Sequence, residues 1–394
     1  MKRLNILATA CLLTISAKAS TPTYKYITIG TDAVEHNSSL LSLTNTAPSA
    51  EGISIVKVDT SKLNELSHHM HDEFQRCGGF VLHDSLEEAE KTLGAEGERS
   101  FAAQSLFSDY TLDQESLVKH LVASVQESNI SSVIRHLSTY KNRYYKSKSG
   151  VDAANWIFDT WKGISAARTD VSVEKFKHDG FPQPSIILTI AGASAETIVV
   201  GGHLDSIAGY WGRATAHAPG ADDNASGIAT TTEVLRSLIE SGYKPAKTIK
   251  FMAYAAEEVG LLGSSAIAKK MKKDGVDVIG ALQLDMTNFK GSDLDIVMMT
   301  DYTNEAQNAF VGTIIDKYLP TVSWGYDKCG YACSDHASWT RQGFPASMPF
   351  ESKKREMNRK IHTKHDTIER SGGNADHATK FAKMAVAFVV ELDR

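Results

Sequence analysis

Cysteine is scarce in this sequence: four in 394 residues, at Cys11, Cys77, Cys329 and Cys333. The fold must therefore rest on a hydrophobic core, and a hydrophobic content of 42% is that of an ordinary globular protein with one to bury. Excess basic charge is missing too. The formal net charge is −5, which leaves no electrostatic footprint for nucleic acid and no polybasic anchor for a membrane surface. Past the N-terminus no apolar stretch approaches the ~20 residues a membrane-spanning helix needs. There is no internal repeat and no low-complexity tract. What remains is a chain long enough for one large domain and something smaller.

The first residues predict a secretory signal over 1–19. Lys2 and Arg3 give a positive start, Leu4 to Ser16 a short apolar stretch, and Ala17-Lys18-Ala19 a small-x-small cleavage pattern. Cys11 sits in a faintly lipoprotein-like context, but the apolar run continues through Leu12 and Leu13, so plain export to the periplasm or the medium is expected. Residues 20–104 read as a propeptide, with a small permanent domain as the plainer alternative. Strand-like pieces occur at Tyr24–Ile29 and Ile53–Val58, a helical stretch at Leu63–Arg76, and a Gly78-Gly79 break before Phe80-Val-Leu-His83. The charged run from Glu87 through Arg99 reads as an exposed, protease-accessible linker. His68, His69 and His71 read as solvent-facing helix positions, a metal-masking role being the sharper alternative. In an exported chain Cys329 and Cys333 can oxidise to a disulfide. Closing so small a loop adds only roughly 2 kcal/mol, so a bridge would chiefly shape that loop; a free thiol pair or half a zinc site is the alternative.

Residues 105–394 have the texture of a single α/β domain. Helical patterns at Asp113–Ser124, Asn129–Ser138, Ala153–Trp161, Gly227–Ser241, Leu262–Lys273, Thr303–Leu319 and Ala375–Leu392 are interleaved with strand-like runs. The runs lie at Ser185–Ile190, Thr197–Gly202, Thr248–Tyr254, Ile279–Met286 and Leu294–Thr300. This alternation predicts a mostly parallel central sheet flanked by helices, in which ligands bind beyond the carboxyl ends of the strands.

Most of five polar segments fall at such ends: Gly-Gly-His203-Leu-Asp205, Gly-Ala-Asp222-Asp223-Asn224, Ala-Ala-Glu257-Glu258, Leu-Asp285-Met286 and Lys-Ile-His362-Thr. Each has a plain reading alone: a hydrogen-bonded strand-end pair, helix capping, solvated glutamates at a helix start, an ordinary loop histidine. Together they gather imidazoles and carboxylates, the donor set zinc prefers. Adjacent Glu257 and Glu258 would repel if both were buried and ionised. A cation relieves that, and the useful division is one ligand and one general base. Asp285, ending an apolar strand, needs a partner, and of Asp222 and Asp223 one can cap the helix while the other faces the site, where a carboxylate's two oxygens suit it to bridge two cations.

The order and context of these segments resemble the secreted bacterial leucyl aminopeptidases, co-catalytic di-zinc exopeptidases. The resemblance runs from about Asp113 to the C-terminus. It is carried by Phe251-Met-Ala-Tyr-Ala-Ala-Glu-Glu-Val-Gly, Ala281-Leu-Gln-Leu-Asp-Met-Thr-Asn, Cys329-Gly-Tyr-Ala-Cys-Ser-Asp-His-Ala-Ser-Trp and Met348-Pro-Phe-Glu-Ser-Lys. Arg76-Cys-Gly-Gly-Phe80 likewise resembles the propeptides of this group. The resemblance implies two Zn²⁺ per chain, Asp223 bridging them, His203 and Asp285 completing one and Glu258 and His362 the other. It implies Glu257 as general base, Asp205 orienting His203, and Asp222 in support. The first-residue pocket would be lined by Met286, Met299, Tyr331, Met348, Phe350 and the Cys329–Cys333 loop, which suggests leucine-like or aromatic first residues. Lys354 and Met357 depart from the aromatic residues of the best-known relatives. Implied partners are peptides with a free N-terminus, the propeptide as intramolecular inhibitor or chaperone, and a maturing protease; a monomer is expected. The competing readings are a single-zinc glutaminyl cyclase-like transferase and a catalytically silent binding protein on the same fold.

Overall fold

The computed structural model describes residues 23–36, 41–42, 52–74, 76, 78–94, 107, 110–209 and 212–394. The signal segment 1–19, Cys77 and the charged run past Gly94 lie outside the described residues.

Near the N-terminus β1 (Tyr24–Gly30), β2 (Leu41–Ser42), β3 (Ile53–Asp59) and β4 (Phe80–His83) form a sheet in the order β2-β3-β1-β4, every pairing antiparallel. Strand alternation sends Ile27, Ile29, Val56 and Val58 into one core with Phe80. Leu66 and Met70, one turn apart on helix Leu63–Phe74, close it. The charged run is not linker from its start: Leu86–Gly94 is a helix. Ser85 and Glu88 supply its first turn, the Glu88 N–H donating to Ser85 Oγ at 3.1 Å and the Glu88 carboxylate accepting from the Asp84 N–H at 2.9 Å, while Ala89 is buried.

The larger unit is built on a six-stranded sheet of β5 (Val171–Phe176), β6 (Ser185–Ile190), β7 (Ser194–His203), β8 (Lys247–Tyr254), β9 (Val278–Gln283) and β12 (Ala346–Ser347), in the order β12-β9-β7-β8-β6-β5. The first four strands in that order run parallel, and β6 and β5 add antiparallel pairings at one side. The sheet is thus mixed, its parallel part running from the β12 edge to β8. β9 is buried at every position, as a strand covered on both faces must be. One face carries the main core, in which Trp161, Phe251, Leu235 and Phe388 meet. It is covered by helices that include Lys148–Ile164, Gly227–Glu240 and Asp376–Leu392. The other face packs Met252, Ile267 and Trp339, beneath helices Leu262–Lys273 and His336–Arg341. Beside this, β10 (Ile296–Met299) pairs with β11 (Trp324–Asp327) and β13 (Pro349–Phe350) in a smaller sheet. Among the described residues no helix is long and apolar enough to cross a membrane.

Two glycines allow the close approach on which the site depends. A Cβ on Gly202 would lie 2.5 Å from the Leu284 carbonyl oxygen, and one on Gly227 only 2.1 Å from it. With both absent, the end of β7 and the start of helix Gly227–Glu240 pack against the backbone that carries Asp285.

Candidate metal centre

The parallel strands deliver the site. β7 ends at His203, β8 is followed by Glu257 and Glu258, and β9 by Asp285, so all four lie at carboxyl ends. Asp222 and Asp223 enter helix Gly227–Glu240 from a loop whose Asp223–Asn224 peptide is cis. Asn224 ties that loop to the neighbouring strand end. It donates to the Leu284 carbonyl at 3.0 Å and accepts from the Met286 and Gly227 N–H groups at 3.2 and 2.8 Å. Ala256, Met286 and His362 flank the site with positive φ, at 59°, 52° and 56°, a conformation that non-glycine residues adopt only when held there.

His203 Nε2 lies 3.1 Å from Asp223 Oδ1 and 3.3 Å from Asp285 Oδ1. His362 Nε2 lies 2.9 Å from Asp223 Oδ2 and 3.2 Å from Glu258 Oε2. Two donor groups result. His203, Asp223 and Asp285 form one; Glu258 and His362 form the other, together with His71 of the N-terminal helix.

The donors fit a cation better than they fit one another. Four ligands about 2.0–2.2 Å from a tetrahedral zinc stand roughly 3.3 Å apart, close to the separations above. His203 Nε2, Asp285 Oδ1, Glu258 Oε1 and both Glu257 oxygens are buried without a hydrogen-bond partner, which a protein rarely tolerates unless a further group belongs there. Carboxyl groups are also in surplus. Asp205, Asp222, Glu257, Asp335, Glu351 and Asp366 are all buried, and burial pushes each above the usual carboxylate range. Asp335 reaches about 7 and Asp366 about 8. A cation offsets such crowding. At Asp223 burial also pushes upward, but His203 and His362 outweigh it and hold the carboxylate well below its ordinary range. At His362 burial opposes the charged ring, and Glu258 and Asp223 prevail, raising it to about 9.

The supporting contacts refine the expected roles. The His203 Nδ1 hydrogen bond goes to the backbone carbonyl of Asp205 at 3.1 Å, the Asp205 carboxylate standing at 3.6 Å. That carboxylate instead accepts from the N–H groups of Glu257 and Glu258 at 2.9 and 3.2 Å. Asp205 therefore orients the imidazole through its main chain and the glutamate pair through its side chain. Asp222 accepts from the Asn288 N–H and from Asn358 Nδ2, each at 3.2 Å. Asp366 accepts from the N–H of Asp223 at 3.0 Å, and Gln283 donates to Asp335 at 3.0 Å. Buried Arg143 donates to the carbonyls of Leu204, Pro219 and Gly220 at 2.8, 2.5 and 2.8 Å, joining the loops that carry Asp205 and Asp222.

Glu257 is fully buried, with its carboxyl well above the ordinary range. Burial is the foremost cause. His203 opposes it, and Glu258, Asp335 and Asp285 reinforce it.

Met286, Met299, Tyr331, Met348 and Phe350 are brought into one apolar cluster, joined by Val297, Met357 and Ile361. Cys329 and Cys333 form a disulfide at its edge. Lys354 reaches over this wall: its Nζ lies 5.4 and 5.8 Å from the Tyr331 and Phe350 ring centres and 3.3 Å from the Tyr331 hydroxyl.

Reading all three N-terminal histidines as solvent-facing does not hold. His68 and His69 are half-buried and His71 is buried against Glu258. Ser67 and His71 flank the Leu66–Met70 stripe, so helical spacing alone placed them at its margin. Asp335, Glu351 and Asp366 were also unanticipated as site residues, since each comes from a loop far along the chain.

Comparison with known proteins agrees with this geometry. The model for peptidase family M28 matches residues 185–389. A probable leucine aminopeptidase of Trichophyton verrucosum is 39% identical over 286 residues, which cover 70% of this chain and 76% of that protein. Leucine aminopeptidase 1 of Arthroderma otae is 40% identical over 291 residues, covering 70% and 76%. Among solved structures, LapB from Legionella pneumophila matches with a TM-score of 0.78 at 28% identity, covering 94% of this chain and 99% of that one. The LapA aminopeptidase of the same organism matches with a TM-score of 0.77 at 27% identity over the same shares. Peptidases of the M28 family are zinc-dependent hydrolases, and the donor set here suits that metal. With the family model spanning β6 to the last helix and metal-type side chains gathered at the strand ends, the chain belongs to peptidase family M28.

Proposed function

We propose that this chain is an exported metallo-aminopeptidase that removes the first residue from peptides with a free N-terminus, preferring leucine and other large apolar residues, and that it works with two zinc ions. One observation carries the reading. The two oxygens of Asp223 point to different histidines, Oδ1 to His203 at 3.1 Å and Oδ2 to His362 at 2.9 Å, the arrangement of a carboxylate shared by two cations. His203 and Asp285 would hold one ion with Asp223, and Glu258 and His362 the other. When bound, such ions polarise the scissile carbonyl and acidify water.

The chain's own residues do the rest. Glu257 stands among the donors with both oxygens uncommitted and takes a proton from the attacking water. With neither oxygen tied up by a hydrogen bond it can hold that proton and return it to the departing amine. Asp205 fixes the Glu257 backbone, keeping the carboxylate aimed inward. The first side chain enters the wall of Met286, Met299, Tyr331, Met348 and Phe350, where apolar contact supports leucine. The Lys354 stem lies along this wall and its amine faces the rings from outside.

In this reading residues 1–19 are an export signal, 20–104 a propeptide that restrains or assists the domain, and 105–394 a monomeric enzyme released by a separate protease. A single-zinc cyclase is not favoured, because the second donor group is complete. Zinc stoichiometry and a panel of aminoacyl anilides on the matured protein test the proposal. Two zincs and fastest turnover of leucyl anilide are expected; one zinc, or no anilide hydrolysis, overturns it.

A further inference from the structure

The N-terminal unit lies directly on the site. The Ser67 hydroxyl donates to the Glu258 carbonyl at 2.7 Å, and Val81 packs with Leu261, Ala332 and Ala337. A Cβ on Gly78 would stand 3.2 Å from the Gly260 nitrogen and 3.3 Å from the Glu257 carbonyl oxygen, so the Gly78-Gly79 turn presses on the backbone that carries both glutamates. The Arg76 guanidinium stacks 4.9 Å from the Tyr331 ring, over the apolar wall.

Within this contact the imidazole of His71 enters the second donor group. Its Nε2 lies 2.8 Å from Glu258 Oε2, with His71 and Glu258 side chains each 1% exposed. The His71 and His362 rings meet edge to face at 4.2 Å. The opposite ring nitrogen, Nδ1, is in short contact with the backbone carbonyl of Ser67. A carbonyl can only accept, so Nδ1 carries a hydrogen, and in the neutral ring Nε2 holds the lone pair. N–H groups stand 3.4 Å from each ring nitrogen, that of Gly78 at Nε2 and that of Arg213 at Nδ1, so the much closer Ser67 carbonyl decides where the hydrogen sits. In the neutral ring Nε2 turns a lone pair toward a carboxylate oxygen, a repulsive pairing unless a metal ion, or a proton on Nε2, lies between them. A ring nitrogen donating to a backbone carbonyl while the other faces a metal is the usual setting of a histidine ligand.

We propose that in the full-length chain His71 Nε2 is a ligand of the metal held by Glu258 and His362, so that the N-terminal unit closes the enzyme by coordination. The inference rests on the two-metal reading above. It assigns the N-terminal unit a chemical means of inhibition: the imidazole occupies the position that water or a peptide's α-amino group would take, and the Arg76 stack covers the side-chain pocket. Removal of the unit exchanges one nitrogen ligand for an open position.

Cobalt substitution of the full-length chain tests this without relying on activity. His71→Ala should alter the visible cobalt spectrum of the full-length chain and release one of two zincs to a chelator at least tenfold faster, while the matured forms of variant and wild type coincide. Circular dichroism of each variant confirms that the N-terminal unit has folded. Two metals in both full-length forms, with matching cobalt spectra and matching release rates, would mean that His71 merely hydrogen-bonds Glu258, and overturns the proposal. Fewer than two metals in the matured wild type would instead remove the two-metal reading beneath it.

Discussion

Replacing Glu257 by glutamine keeps the volume of the side chain and removes only its ability to take a proton. The structure sets the expected size of the effect. Glu257 is fully buried and neither of its oxygens has a hydrogen-bond partner. Glu258 beside it is engaged with His362 and is assigned to the metal, so it cannot take over. General-base catalysis by a positioned group is worth about 10²–10⁴ in rate, about 3–5 kcal/mol of barrier, and the lack of a substitute points to the upper part of that range. In Glu257→Gln kcat for leucyl anilide should fall about 10³- to 10⁴-fold, with KM changed only a few-fold and zinc content unaltered. Steady-state kinetics and elemental analysis of the same preparation read all three quantities. Loss of zinc with Glu257→Gln but not with Glu258→Gln would show that base and ligand are exchanged. Near-normal kcat with full metal would refute the mechanism.

Thr232→Val leaves the buried Trp161 indole N–H without the acceptor it meets at 2.9 Å; urea unfolding should show a loss of about 1–3 kcal/mol, and an unchanged midpoint would contradict the packing described. Asp84, paired first with Lys25 and then with Lys269 of the larger unit, is held down at about 2. Its folded pKa is depressed, so its contribution is present above the ordinary value near 3.8 and is lost as pH falls toward 2. Thermal unfolding of Asp84→Asn should differ from wild type at pH 6 by less than about 1 kcal/mol, because the pair is largely exposed, and the difference should vanish near pH 2. Removing the amine in Lys354→Met should change KM for leucyl anilide by less than about five-fold, the worth of an exposed cation–π contact. A change of several decades would place that amine inside the substrate pocket.

Much of this was legible in the sequence because it is written in local pattern. β6 and helix Leu262–Lys273 begin and end where their apolar periodicity does. The donors His203, Glu258 and Asp285 announce themselves as polar residues where apolar strands stop. β5 was missed because its sequence, VSVEKF, is an edge strand with most of its outward positions exposed, and so carries few apolar residues. The start of the charged run was mistaken for linker because three of its residues are glutamates, although a serine and a glutamate at capping spacing mark its first turn. The placement of His71 could not be read locally: a helix margin faces solvent unless another surface docks on it, and that surface lies 187 residues away at Glu258. Separation along the chain also hid Asp335, 52 residues from Gln283, and Asp366, 143 residues from Asp223, as supports.

The central claim is that Asp223 is shared between two metal ions, and anomalous diffraction at the zinc edge from crystals of the matured protein measures it directly. The account predicts two peaks about 3.5–4 Å apart, the spacing of two-metal sites, one beside His203 and Asp285, the other beside Glu258 and His362, with Asp223 between them. A single peak, or two peaks that Asp223 does not join, would contradict it.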